Sequence, residues 1–395
     1  MSQQSGIDRR KFLAINCAAF AGGSIRSQEL APTIKGVDGL QRDAVAKLGQ
    51  DFQQKFGLPG VSLAMSYRGK LKLLACFGYA DQENRVAVQP KHMFRVASVS
   101  KPITSVAVLR LVELGKLKLS DFVFGPGGSV RPVVQKVLRR HPQRDWIDSI
   151  TIRHLLEHAC GGWTNNSGEA PMFARPALGM KHNDLIRWTL SNVPLKTRPG
   201  TRYAYSNFGY CVLGRVIEQT TKKSYEQAVK QLVLDPCGAK STFVGGHIRK
   251  ERRADEVVYY DKYDPYGANM NVTRMDAHGG WIATPTDLVR FAQSVDGFPK
   301  PADILKPESI KTMTKPSRGR YALGWNTNAS NNWWHTGSFN GGTAILARIS
   351  DGHCWAVVVN TRPGGKGYSA ALDAFPWTIK RAVKKWGDHD LFADA

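Results

Sequence analysis

Outside its N-terminus the sequence has no run of eighteen apolar residues, so it lacks the segments a polytopic membrane protein needs to cross a bilayer. It also lacks a Gly-x-Ser-x-Gly elbow, a Walker loop and a Gly-x-Gly-x-x-Gly turn after a strand, which removes the ordinary hydrolase-elbow and nucleotide-binding readings. Cysteine is sparse: six residues, at 17, 76, 160, 211, 237 and 354, with no Cys-x-x-Cys pair. Cys17 falls in a leader-like segment, and the odd five that remain argue against both a disulfide scaffold and a structural zinc site. They read as small buried hydrophobes. Acidic residues are few as well, 32 Asp and Glu against 55 Lys and Arg, for a formal charge of +23. Such a surface attracts anions, yet the basic clusters at 139–140, 250–253 and 380–385 are short and no nucleic-acid motif accompanies them. The excess reads as general surface chemistry, and nucleic acid is not an expected partner.

What is present is ordinary globular composition, 42% hydrophobic and 22% charged over 395 residues, enough to bury one large core. The opening "MSQQSGIDRRKFLAINCAAFAGGSIRS" has paired Arg9-Arg10, then a weakly apolar stretch that ends in small residues. That order resembles a twin-arginine export signal over 1–27, which implies a periplasmic or secreted protein whose catalytic domain is 28–395.

Beyond the leader, 37–56 has apolar residues at helical spacing, and "LPGVSLAMSYRGKLKLLACFGYAD" reads as a hairpin turning at Arg68-Gly69. Val61, Leu63 and Met65 alternate before the turn, and Leu71, Leu73 and Ala75 after it. At 95–117 the period becomes helical, with Ile103, Val106, Ala107, Leu111 and Leu114 on a face widened enough to predict burial. From about 120 to 290 the chain is loop-rich and helical. Strand patterns return over 321–361, and 368–386 reads as a closing helix. The expectation is an α+β fold: an antiparallel sheet built from both termini (28–97 and 291–395), flanked by helices, with a mainly helical insertion over 98–290.

Three short motifs carry chemistry. Ser98-Val99-Ser100-Lys101 places a serine one helical turn from a lysine, although serine at a helix start is also a common cap. Tyr205-Ser206-Asn207 lies in a turn before an apolar helix, and His335-Thr336-Gly337 ends a strand. A competing pattern, "HLLEH", puts His154, Glu157 and His158 in an inverted zinc-protease order, but no third ligand is identifiable. No metal or cofactor is expected.

In the order Ser-x-x-Lys, Tyr-x-Asn, His-Thr-Gly, the chain resembles the serine β-lactamase and penicillin-binding-protein superfamily over roughly 37–386. The resemblance is to its class C-like branch of β-lactamases, DD-peptidases, D-aminopeptidases and family VIII carboxylesterases. It implies the β-lactamase/transpeptidase-like fold, with Ser98 as nucleophile and Lys101 and Tyr205 as coupled base; which of the two holds the proton stays open. Asn207 would orient Lys101 and contact the substrate carbonyl, and the strand through His335, Gly337 and Ser338 would wall the cleft. The backbone N–H groups of Ser98 and Ser338 would form the oxyanion hole. The "HLLEH" segment falls where these proteins have a structural stretch.

One position departs from the pattern. Penicillin-recognising members commonly carry lysine where this chain has His335, and histidine is mostly neutral at pH 7. This favours a carboxylesterase acting on small esters or amides without an obligatory carboxylate. The alternatives are a D-amino-acid peptidase, DD-carboxypeptidase or β-lactamase acting on cell-wall peptide or β-lactam, and a non-enzymatic binding protein on a decayed hydrolase fold.

Overall fold

Two residues with positive φ, Arg68 (48°) and Gly69 (81°), form the tight turn that folds Gly60–Tyr67 back on Lys70–Asp81. Both torsions match a type I′ hairpin, whose twist suits the strands it joins. The hairpin is the N-terminal half of an antiparallel sheet. Its C-terminal half is the meander Trp333–Phe339, Gly342–Arg348 and His353–Val359. The seam pairs Gly60–Tyr67 with His353–Val359, Ala64 opposite Ala356. Thr33–Lys35 and Asn326–Thr327 close the two edges, and Val86–Ala87 adds a short strand beside Lys70–Asp81. The computed structural model describes residues 30–165, 170–267 and 270–394. The predicted export segment and Cys17 lie outside the described residues.

Because side chains alternate across a strand, the sheet carries two different faces. Val61, Leu63, Met65, Trp355, Val357 and Val359 meet the helices Gly39–Phe56 and Tyr368–Ala382 on one side. Phe52 and Phe375 stack across that layer with centroids 4.4 Å apart. Ala64, Leu74, Leu346, Ala356 and Val358 face the other way, onto the core shared with the insertion. Leu71 was expected with Leu73 and Ala75 but belongs to this second core. A bulge opposite Met65/Ser66 inserts an extra residue, Lys72, and so reverses the alternation.

The helix Ser100–Glu113 lies between sheet and insertion, with every residue from Ser100 to Leu109 buried. Leu114 instead closes the helix and is half exposed, because it stands past the last buried turn. The insertion is mainly helical, as expected, and shares with the segment before it a small sheet too short to show a period: Trp281–Ala283 between Phe94–Arg95 and Thr242–Val244. Of the predicted strand over 321–327, only Asn326–Thr327 pairs in the main sheet. The five cysteines at 76, 160, 211, 237 and 354 are free and buried.

Phe375→Ala removes one ring of the stacked pair from a closed apolar layer. It should cost about 3–5 kcal/mol, read as a lower urea midpoint with unchanged slope.

Candidate active site

The chain reaches Ser98 through a strained step. Ala97 has φ +48°, a conformation an L side chain rarely adopts, and the residues Ala97–Val99 make a single 3₁₀ turn before the α-helix. Such strain costs roughly 1–3 kcal/mol and persists only where the surroundings over-determine it. Ser98 therefore stands at the helix start as predicted, yet its side chain does not cap the helix. The hydroxyl that bonds the turn is that of Ser100, which donates to the Ala97 carbonyl at 2.7 Å.

Ser98 Oγ instead faces Lys101 Nζ at 3.0 Å. Lys101 is wholly buried, and its amine donates to Asn207 Oδ1 at 2.7 Å and to the His278 carbonyl at 2.8 Å. Burial holds its pKa well below the ordinary lysine value. Both oxygen partners are pure acceptors and fix two N–H bonds. In the neutral amine the remaining position, the lone pair, is then directed at Ser98 Oγ. Asn207 opens the helix Asn207–Thr221, which the Ser206 hydroxyl caps by accepting from Gly209 N at 3.0 Å. His278 belongs to the short turn Asp276–Gly279, tied to the same helix by the buried pair Arg215–Asp276 at 2.6 Å.

Tyr205 completes the group. Lys101 Nζ lies 4.8 Å from its ring centroid, and Tyr205 and Ser98 line the same cleft. Desolvation raises its pKa, so the phenol stays protonated at neutral pH. His335 is buried, with Nδ1 against the Thr336 carbonyl at 2.6 Å and Nε2 against the Tyr321 hydroxyl at 3.1 Å. A carbonyl only accepts, so Nδ1 carries the proton and Nε2 accepts from Tyr321. Burial, then the nearby Lys101 charge, push the His335 pKa down to about 3.

Gly337 explains its own residue type. A Cβ there would stand 2.1 Å from the Val96 carbonyl oxygen and 3.0 Å from Ser98 N, so only glycine lets the strand run beside the serine. Ser338, Thr336 and Asn340 line a cleft of about 500 Å³ that also includes Ser98, Tyr205, Asn207 and His335. All seven predicted site residues thus converge, with Gly337 acting through its lack of a side chain.

Sequence reading missed the second layer. His158 lies under the cleft with its ring centroid 4.2 Å from that of Tyr205 and 4.6 Å from that of Tyr321, and its Nδ1 accepts from Ser206 N at 3.1 Å. Isolated aromatic residues give no periodic signal; a hint was available only in the "HLLEH" stretch, read for a different chemistry. The other members of that stretch turn elsewhere. His154 closes a capping box with Thr151, and Glu157 pairs with Arg153 and Arg318. Among the described residues no cluster of His, Cys, Asp and Glu could hold a metal ion.

A sequence model of the family described as Beta-lactamase matches residues 45–374. Protein flp of Staphylococcus aureus (strain MW2) is 26% identical over 300 residues, covering 74% of this chain and 57% of that protein. The chain thus spans little more than half the length of this relative. Among solved structures, D-amino acid amidase from Ochrobactrum anthropi SV3 matches with a TM-score of 0.70 and 22% identity, over 87% of this chain and 98% of that one. A class C β-lactamase matches with a TM-score of 0.69 and 20% identity, over 87% and 97%.

The depressed His335 sets a pH dependence of stability. The unfolded histidine takes up a proton near 6.5 and the folded one only near 3, so its contribution is complete above about 6.5 and is lost as pH falls towards 3. The urea midpoint of the wild type should fall more between pH 7 and pH 4 than that of His335→Gln. Equal slopes would mean that His335 titrates freely in the fold.

Proposed function

The chain belongs to the β-lactamase family, and from that premise we propose that it is a serine acyl hydrolase of carboxylesterase type working through an acyl-enzyme on Ser98. The observation that carries this reading is the 3.0 Å contact between Ser98 Oγ and a buried Lys101 amine whose other two partners are carbonyl oxygens. Desolvation keeps that amine available as a base, while Tyr205 is held as a neutral phenol. Lys101 is accordingly assigned the proton of the attacking serine, and Tyr205 the relay to the departing alkoxide.

In this reading Ser98 Oγ attacks the ester carbonyl carbon as its proton passes to Lys101. The tetrahedral oxyanion is met by the Ser98 and Ser338 N–H groups. The C–O bond to the alcohol then breaks, the alcohol leaves with the proton through Tyr205, and an acyl-serine remains. Water, deprotonated by the same amine, attacks the acyl carbon and regenerates the hydroxyl.

Two features of the cleft favour an ester over the amino-acid amides suggested by the amidase neighbour. Among the described lining residues there is no carboxylate to meet an α-ammonium group. Phe173, Tyr203, Met270 and Phe339 offer an apolar bed for an acyl or aryl group. The β-lactam reading is disfavoured by His335, which is uncharged, and by Arg362, the cation in the lining, which already pairs with Asp261 at 3.4 Å.

Purified protein should hydrolyse p-nitrophenyl esters, with nitrocefin and D-Ala-D-Ala peptide turned over slowly or not at all. Ser98→Ala should lower ester turnover by about 10⁴-fold or more, and turnover that survives it would sink the nucleophile assignment. A fluorophosphonate adduct, located by mass spectrometry, should map to 95–101 in the wild type. For Lys101 as base, kcat/KM should rise with pH through a midpoint below the ordinary lysine value, and Lys101→Arg should remain inactive across the range.

A further inference from the structure

The stretch that carries Tyr205 lies outside helix and strand until Asn207 opens its helix. Its peptide groups must therefore find their hydrogen bonds elsewhere, and two of them find the same residue. His158, just past the helix Ile152–Leu156, accepts from Ala204 N at 2.7 Å through its carbonyl and from Ser206 N at 3.1 Å through Nδ1. The residues on either side of Tyr205 are thus tied to one histidine. The His158 ring also lies against the Tyr205 ring, with centroids 4.2 Å apart, and its centroid is 4.6 Å from that of Tyr321, whose hydroxyl meets His335 Nε2. His158 itself has φ +55°, a conformation that among residues with a side chain asparagine, aspartate and histidine adopt most readily, and one that persists where the surroundings hold it.

Packing alone does not call for histidine here. The residue is fully buried, and Nε2 has no hydrogen-bond partner in the protein. Because Nδ1 accepts, Nε2 must carry the ring proton of the neutral imidazole, which brings an unmet donor into the core. A phenylalanine would fill similar space without that cost. What the imidazole adds is the acceptor facing Ser206 N. Burial, with the charges of Lys101 and His335, holds the His158 pKa well below the ordinary histidine value, so the ring stays neutral and Nδ1 stays free to accept.

We infer that His158 is a positioning residue for Tyr205: its carbonyl and Nδ1 clamp the peptide groups on both sides of the tyrosine, and its ring supports the phenol where the departing alkoxide takes its proton. The inference rests on the acyl-hydrolase reading, in which Tyr205 relays that proton. His158 is not among the residues that line the cleft, so it acts through Tyr205 and meets no substrate.

Esters that share an acyl group and differ in the alcohol test it. A p-nitrophenolate departs as the anion, whereas an ethoxide needs the proton, so a misplaced Tyr205 is felt mainly with the ethyl ester. In His158→Phe, kcat/KM for ethyl butyrate should fall about tenfold further than kcat/KM for p-nitrophenyl butyrate. Tyr205→Phe should show the same bias, and adding His158→Phe to it should enlarge the bias no further. His158→Asn, which restores an acceptor oxygen and suits a positive φ, should recover most of the loss. Equal losses on the two esters, or no recovery in His158→Asn, would make His158 a packing residue and overturn the inference. In ¹⁵N-histidine-labelled protein the His158 ring, identified by its loss in His158→Asn, should show Nδ1 unprotonated and Nε2 protonated at neutral pH. A protonated Nδ1 could not accept from Ser206 N and would equally overturn it. A wild type that cleaves neither ester would sink the acyl-hydrolase reading instead, and the ring nitrogens would still decide the clamp.

Discussion

The burial of one lysine amine organises the site. An ammonium taken from water without compensation is costly, and a lysine so placed responds by giving up its proton. Lys101 is enclosed because the helix Ser100–Glu113 is buried from Ser100 to Leu109 between sheet and insertion. Its partners come from separate parts of the chain, the Asn207 side chain and the His278 backbone, and the Arg215–Asp276 pair holds those two parts together. An ion pair remote from the cleft thereby fixes two of the amine's hydrogen-bond acceptors.

The opposite wall is set by close approach. Gly337 brings the strand against Val96 and Ser98, and Ala97 accepts an unfavourable torsion at the same point. The strain and the missing side chain are two aspects of one fit, since the serine must project into a cleft whose floor and wall nearly touch. His335 contributes to that wall as a neutral ring fixed by Tyr321 and its own neighbour's carbonyl.

Much of this was legible in the sequence, and the limits have physical causes. The helix at 100–113, the hairpin at Arg68-Gly69 and the closing helix show in period and turn chemistry, because long amphipathic segments and two-residue turns leave regular traces. Ser98, Lys101, Tyr205, Asn207 and His335 were found through motif order, which no periodicity could supply. The fates of Leu71 and Leu114 were misjudged, since a single bulge or one residue beyond a helix end changes a side chain's surroundings without changing the pattern. The small sheet escaped because strands of two or three residues contain no full alternation. The His278 carbonyl was invisible in principle: a backbone acceptor leaves no mark on residue identity. His158 and Tyr321 become significant only when the fold stacks them beneath Tyr205.

The seam between Gly60–Tyr67 and His353–Val359 has a kinetic consequence. These strands are separated by most of the chain, and the wall bearing His335 and Gly337 reaches the serine only through the sheet that the seam closes. Pairings of such large sequence separation are slow to form, because the entropy of closing the intervening loop is lost before any contact repays it. During synthesis, the helix that buries Lys101 emerges long before the strand that completes the cleft. The cleft is therefore assembled in two stages, and a ribosome-bound chain holds Ser98 and Lys101 before the strand bearing His335 and Gly337 can join them.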